Sequence, residues 1–109
     1  MLRAGQRLKA MRELFGLTRE QMSKTCGINE NRYRNVERQN AKMNEDEFLK
    51  VGSLFPEFLP WLAIEGPINI HDLKNSKNGF CASAAERIEN GLIPTGYYLE
   101  RAIKGFDIN

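Results

Sequence analysis

Between Leu17 and Arg38 the chain reads LTREQMSKTCGINENRYRNVER, two short helical patterns separated by a single glycine. Thr18 is placed to cap the first helix, with Gln21 at the third helical position to complete a capping box. Met22 and Cys26, four apart, share one apolar face. Gly27 falls where the chain must reverse, and glycine takes a left-handed backbone there without steric cost. Asn29 then caps a second helix whose apolar residues Tyr33 and Val36 are three apart. Its other positions hold Glu30, Asn31, Arg32, Arg34 and Asn35, side chains that hydrogen-bond base edges or pair with phosphates. A helix this short, with its outward face given to Asn and Arg, suits a polar partner.

The same reasoning extends along the chain. Ala4, Leu8, Met11 and Phe15 recur at helical spacing and predict a first helix from Leu2 or Arg3 to Leu14 or Phe15, stopped by Gly16. The next two helices are expected near 18–26 and 29–38. Asn44, with Glu47 three residues on, opens a fourth to about Phe55, its apolar set being Phe48, Val51 (or Leu49), Leu54 and Phe55. A fifth begins in Pro56-Glu-Phe-Leu-Pro-Trp-Leu-Ala-Ile and closes at Gly66-Pro67, Pro60 being tolerable near the first turn. Beyond Gly66 the pattern changes. Ile68-Asn-Ile-His-Asp-Leu alternates as a short extended segment does, and Lys74-Asn-Ser-Lys-Asn-Gly reads as a loop. Ser83 with Glu86 forms a capping box for a helix ending at Asn90-Gly91. Pro94 or Thr95 starts another, carrying Tyr98, Leu99, Ala102 and Ile103 and stopped by Gly105. The expected class is all-α, with a five-helix domain over residues 1–66 and a helical C-terminal extension over 67–109.

At 109 residues, 41% hydrophobic and 28% charged, the chain has the size and composition of one globular domain with an extension. No apolar run approaches a membrane span, and MLRAGQRLKAM lacks the apolar core of a signal peptide. The expected compartment is the cytoplasm, at the nucleoid when bound to DNA. Cys26 and Cys81 have neither metal-site spacing nor the count of a disulfide framework, and Cys26 is expected to be a small buried hydrophobe. The net charge of +2 conceals an asymmetry. Residues 1–40 carry nine basic groups (Arg3, Arg7, Lys9, Arg12, Arg19, Lys24, Arg32, Arg34, Arg38) against Glu13, Glu20, Glu30 and Glu37. Residues 41–65 are net acidic and the remainder balances. A basic block coincident with the two-helix segment is what a phosphate-binding surface requires.

The segment resembles the helix-turn-helix of phage repressor, Cro and related bacterial regulators. The residues that carry the resemblance are Leu17, Thr18, Glu20, Met22, Ser23, Gly27, Ile28, Asn29, Val36, Glu37 and Arg38, and it extends back to Gly5-Gln-Arg-Leu-Lys and forward to about Glu65. FPEFLPWL is similar to a Phe-Pro-x-x-x-x-Trp-Leu segment that follows the motif in some phage-type regulators. The chain departs from the family's pattern at Arg19, where an orienting Gln is common, at Cys26 for Leu, and at Tyr33 for a smaller residue. Gln39 replaces a Gly, so Asn40 is expected to supply that turn. The resemblance implies a five-helix repressor-like bundle that binds double-stranded DNA and regulates transcription. It also implies that the residues from Asn29 to Arg32 enter the major groove.

Candidate base-contacting residues are therefore Asn29, Glu30, Asn31, Arg32, Arg34 and Asn35. Asn31 suits adenine, Arg32 or Arg34 suits guanine or phosphate, and Glu30 can accept from cytosine. Arg19, Arg38 and Lys42 are candidates for phosphate. Glu37 is expected to pair within the domain, and Phe48, Phe55, Trp61 and Leu62 to be core. One reading helix brings three or four side chains to base edges, so a homodimer on a palindromic site is expected. Its surface is sought in 67–109, where Leu92, Ile93, Tyr97, Tyr98, Leu99 and Ile103 gather; packing back onto the first domain is the other use of that group. An alternative function is an antitoxin-like or anti-repressor module whose residues 67–109 bind a partner protein. His71 is expected at the surface. With no nucleophile–base constellation and no phosphate-cradling Gly loop, neither enzymatic activity nor a cofactor or metal is expected.

Overall fold

In the computed structural model, which describes residues 1–105, α1 (Ala4–Phe15) is the element on which α3, α5 and α7 all pack. Leu8, Met11, Leu14 and Phe15 form its buried stripe, and each contributes about 1.5–3 kcal/mol relative to exposure. The helix starts one to two residues later than the spacing predicts, at Ala4, because the Gln6 side chain accepts from the Arg3 N–H at 2.8 Å. It ends as expected at Gly16, in the left-handed region.

α2 (Arg19–Cys26), α3 (Glu30–Glu37) and α4 (Glu45–Leu54) follow, each opened by the cap the sequence predicts: Thr18, Asn29 and Asn44. A 3₁₀ turn at Pro56–Phe58 leads into α5 (Leu59–Ile64), with a proline in the first turn of each. Arg7 is buried beneath α5, where its guanidinium donates to the Leu62 carbonyl at 2.7 Å and the Ala63 carbonyl at 3.1 Å. These carbonyls end a helix and would otherwise lack partners.

The second part departs from expectation in three places. Extended backbone is confined to β1 (Ile68–Asn69), because the Asn69 side chain accepts from the His71 and Asp72 N–H groups and starts α6 (Ile70–Lys74). α7 (Gly79–Glu89) begins before Ser83, capped by Asn78, so Ser83 lies inside the helix. The last helix is a single turn, α8 (Leu99–Ala102), preceded by Tyr98 in a left-handed conformation. Ile103–Lys104 instead forms β2, parallel to β1 in the register Ile68↔Ile103 and Asn69↔Lys104. Among the described residues the protein is otherwise helical, and none of these helices is long and apolar enough to cross a membrane.

One core joins both parts. Cys81, Ala84, Ala85 and Ile88 of α7 are buried with the α1 stripe. Phe15 lies 4.9 Å from Phe55, 5.2 Å from Phe58 and 6.0 Å from Phe80 between ring centroids. Trp61 and Leu62 are buried as expected, and Phe48 only partly. Of the apolar group in 67–109, Leu99 and Ile103 are buried, Ile93 and Tyr97 partly so, and Leu92 and Tyr98 are exposed. The Tyr97 hydroxyl donates to the Glu13 carboxylate on α1. Among the described residues Leu49, Leu54, Leu59 and Ile64, on α4 and α5, are the other exposed large apolar side chains beside Met1.

Candidate nucleic-acid interface

The α2–α3 pair is held by local and distant contacts. The Thr18 hydroxyl accepts from the Gln21 N–H at 3.1 Å, while the Gln21 side chain accepts from the Thr18 N–H at 2.9 Å. Gly27 has φ +68°, and the next residue, Ile28, turns inward. Asn29 Oδ1 accepts from the N–H groups of Asn31 (3.0 Å) and Arg32 (3.2 Å), which fixes the first turn of α3. Arg12, on α1, clamps the two ends together. Its Nε and Nη2 donate to the Glu37 carboxylate at 2.8 and 3.1 Å, and its Nη1 to the Leu17 carbonyl at 2.9 Å. Glu37 thus pairs within the domain, as expected. Lys50 Nζ reaches the Gly27 carbonyl at 3.1 Å.

α3 divides into three faces. Tyr33, Val36 and Glu37 point inward. Arg32 points to α4, where Nε and Nη2 grip both Glu47 oxygens at 2.8 and 2.9 Å and Nη2 also donates to the Lys42 carbonyl at 2.6 Å. This hydrogen-bonded pair raises the Arg32 pKa and holds the Glu47 carboxyl below its ordinary value, against the opposing effect of burial. The third face carries Glu30, Asn31 and Asn35, all exposed, with the partly buried Arg34. Arg34 Nη2 donates to Asn31 Oδ1 at 2.7 Å.

The six predicted base readers are therefore not equivalent. Asn29 spends its oxygen on the helix cap, and Arg32 spends its guanidinium on α4. Arg32 looked free in the sequence because its partner lies fifteen residues away. Glu30, Asn31, Arg34 and Asn35 remain on one outward face.

Basic groups line two grooves, one along this face and one beside the turn that follows α3. Arg19, Arg34 and Arg38 line a groove of about 500 Å³ with Arg12, Thr18, Glu20 and Glu30. Beyond the end of α3, Lys42 lines a groove of about 590 Å³ with Arg3 and the 39–43 turn. Arg3 was not singled out in the sequence, since only the packing of the start of α1 beside that turn brings it to Lys42. Of the basic block, Arg7, Arg12 and Arg32 are committed to internal acceptors. The left-handed position after α3 falls on Gln39 (φ +66°) and not on Asn40. The Gln39 amide donates back to the Glu37 carbonyl at 3.2 Å, which helps hold that backbone.

Comparison of the chain with protein-family models, with curated proteins and with solved structures finds no match.

Proposed function

We propose that this protein is a sequence-specific double-stranded DNA-binding regulator of transcription. In this reading α1–α5 are a repressor-like helix-turn-helix bundle and α3 enters the major groove. The observation that carries it is the position of Glu30, Asn31 and Asn35. They are exposed on α3, and among the described residues their side chains make no hydrogen bond or ion pair to another element. Arg19 and Arg38 line the groove that Glu30 also lines, and Arg3 and Lys42 line the groove beside the 39–43 turn that follows α3. Cationic groups near such a face position a protein on phosphates, and exposed amides with hydrogen-bonding capacity left over read base edges. A reading helix of eight residues offers few contacts, so the active species is a homodimer on half-sites about 34 Å apart.

Selection of duplexes from a random-sequence pool by the full chain tests this directly. A palindromic sequence should be enriched, and binding should weaken with salt at a logarithmic slope of about −0.9 per phosphate contacted. Asn31→Ala with Asn35→Ala should abolish the preference while the melting temperature stays close to that of the unaltered chain, since both side chains are exposed. A pool that emerges unenriched would overturn the reading.

A further inference from the structure

The Arg34–Asn31 contact has a use that goes beyond holding a phosphate. The backbone of α3 is pinned at its start by the Asn29 cap, along its side by Arg32–Glu47 and at its end by Arg12–Glu37. What remains free at Asn31 is its side-chain rotation, and that is what Arg34 engages. The guanidinium does this although Glu30, four residues before it, would offer a charged partner; the hydrogen bond instead runs to Asn31 Oδ1 at 2.7 Å.

An amide oxygen has two lone pairs, so after accepting from Arg34 it can accept once more, and both Nδ2 hydrogens remain available. Adenine presents an N6 donor beside the N7 acceptor in the major groove, which matches an amide whose oxygen and nitrogen are fixed in order. Guanine presents two acceptors, O6 and N7, and a fixed amide oxygen opposes one of them. A free amide can turn its N–H groups toward guanine; one held by Arg34 cannot.

We infer that Arg34 is a positioning residue that sets the Asn31 amide to accept adenine and refuse guanine at one base pair. This rests on the DNA-binding reading above. The bidentate pair it serves discriminates by roughly 5- to 150-fold, the equivalent of about 1–3 kcal/mol.

The test uses the duplex enriched by the full chain, remade with each A·T pair replaced in turn by G·C. Affinities are measured for the unaltered chain, Asn31→Ala and Arg34→Met, with circular dichroism to verify folding and Arg34→Ala held as the substitute variant. One A·T pair should show the discrimination above, and both variants should reduce it to about twofold or less at that same pair. A phosphate contact alone behaves differently. It would lower affinity for every duplex evenly and leave the adenine-to-guanine ratio intact, and that result for Arg34→Met overturns the inference. So does an Asn31→Ala protein that keeps every ratio. If no duplex is enriched at all, it is the DNA-binding reading that fails.

Discussion

Arg32 and Glu47 meet through two parallel hydrogen bonds, and the Glu47 carboxylate also accepts from the Asn44 N–H at 2.9 Å. One buried carboxylate therefore closes the capping box of α4 and fixes the angle of α3 against it. The cation that looks most available for a ligand is the one that aims the helix.

Glu47→Gln should lower stability at pH 7 by about 1.5–3 kcal/mol, the range for hydrogen bonds to charged groups. Glutamine can still serve the capping box, so the loss isolates the charge. Because the folded-state pKa of Glu47 lies below its ordinary value of 4.5, the stabilisation is present above that value and disappears as pH falls through the folded pKa. Denaturant titrations of both proteins should differ at pH 7 and converge in acid. A difference that stays constant with pH would contradict the assignment.

Gly5→Ala should destabilise by about 1–3 kcal/mol, as overpacking does. A methyl group at Gly5 would stand 2.1 Å from the Val36 carbonyl oxygen and 2.9 Å from its carbon, so α1 and the end of α3 must separate. Alanine's better helix propensity, worth about 1 kcal/mol, works in the opposite direction. A melting temperature at or above that of the unaltered chain would show that the helices part without cost.

Tyr33 is fully buried and its hydroxyl makes no well-formed hydrogen bond among the described residues, while burial, and then the nearby Glu37 carboxylate, drive its pKa upward. Tyr33→Phe removes that orphaned group without opening a cavity. Equilibrium unfolding should show stability unchanged or raised by up to about 1 kcal/mol. A loss greater than about 1 kcal/mol would mean that the hydroxyl has a partner in solution.

Burial pushes the Cys26 thiol up to about 11; burial, and then the nearby Glu57 carboxylate, push Cys81 up to about 12. Thiolate, the reactive form, is therefore scarce at pH 8. Iodoacetamide should label neither cysteine in the native protein and both in denaturant, as read by mass spectrometry. Rapid native labelling of either would place that thiol at the surface.

What the sequence revealed depended on how far apart the partners lie. Thr18 with Gln21, Asn29 with the N–H groups of α3, and Asn44 with Glu47 are contacts over two or three residues, and each is legible as a pattern. The commitment of Arg32 spans fifteen residues and follows from the packing of α3 on α4, which no local pattern encodes. Ser83 and Glu86 have capping-box spacing, yet Asn78 caps first, and its side chain also donates to the Leu54 carbonyl at 3.1 Å. The helix expected from Pro94 or Thr95 is cut to one turn, because Tyr98 before it is left-handed and Ile103 after it pairs with Ile68 across thirty-five residues. Arg19, Arg38 and Lys42 could be chosen from charge and position, whereas Arg3 required the three-dimensional neighbourhood of Lys42.

The pairing of Ile68 with Ile103 also bears on the order in which the molecule can be completed during synthesis. All the groups of the proposed reading face are made by residue 42, but the wall formed by Phe15 and Phe55 is covered by Phe80. The strand that fastens β1 is made later still, at Ile103 and Lys104. A chain emerging from the ribosome at about 5–20 residues per second thus carries its N-terminal half for some seconds with aromatic surface bare. During that interval the growing chain is more exposed to aggregation than the finished one. Stalling between residues 66 and 80 should therefore yield a nascent protein that depends on a chaperone.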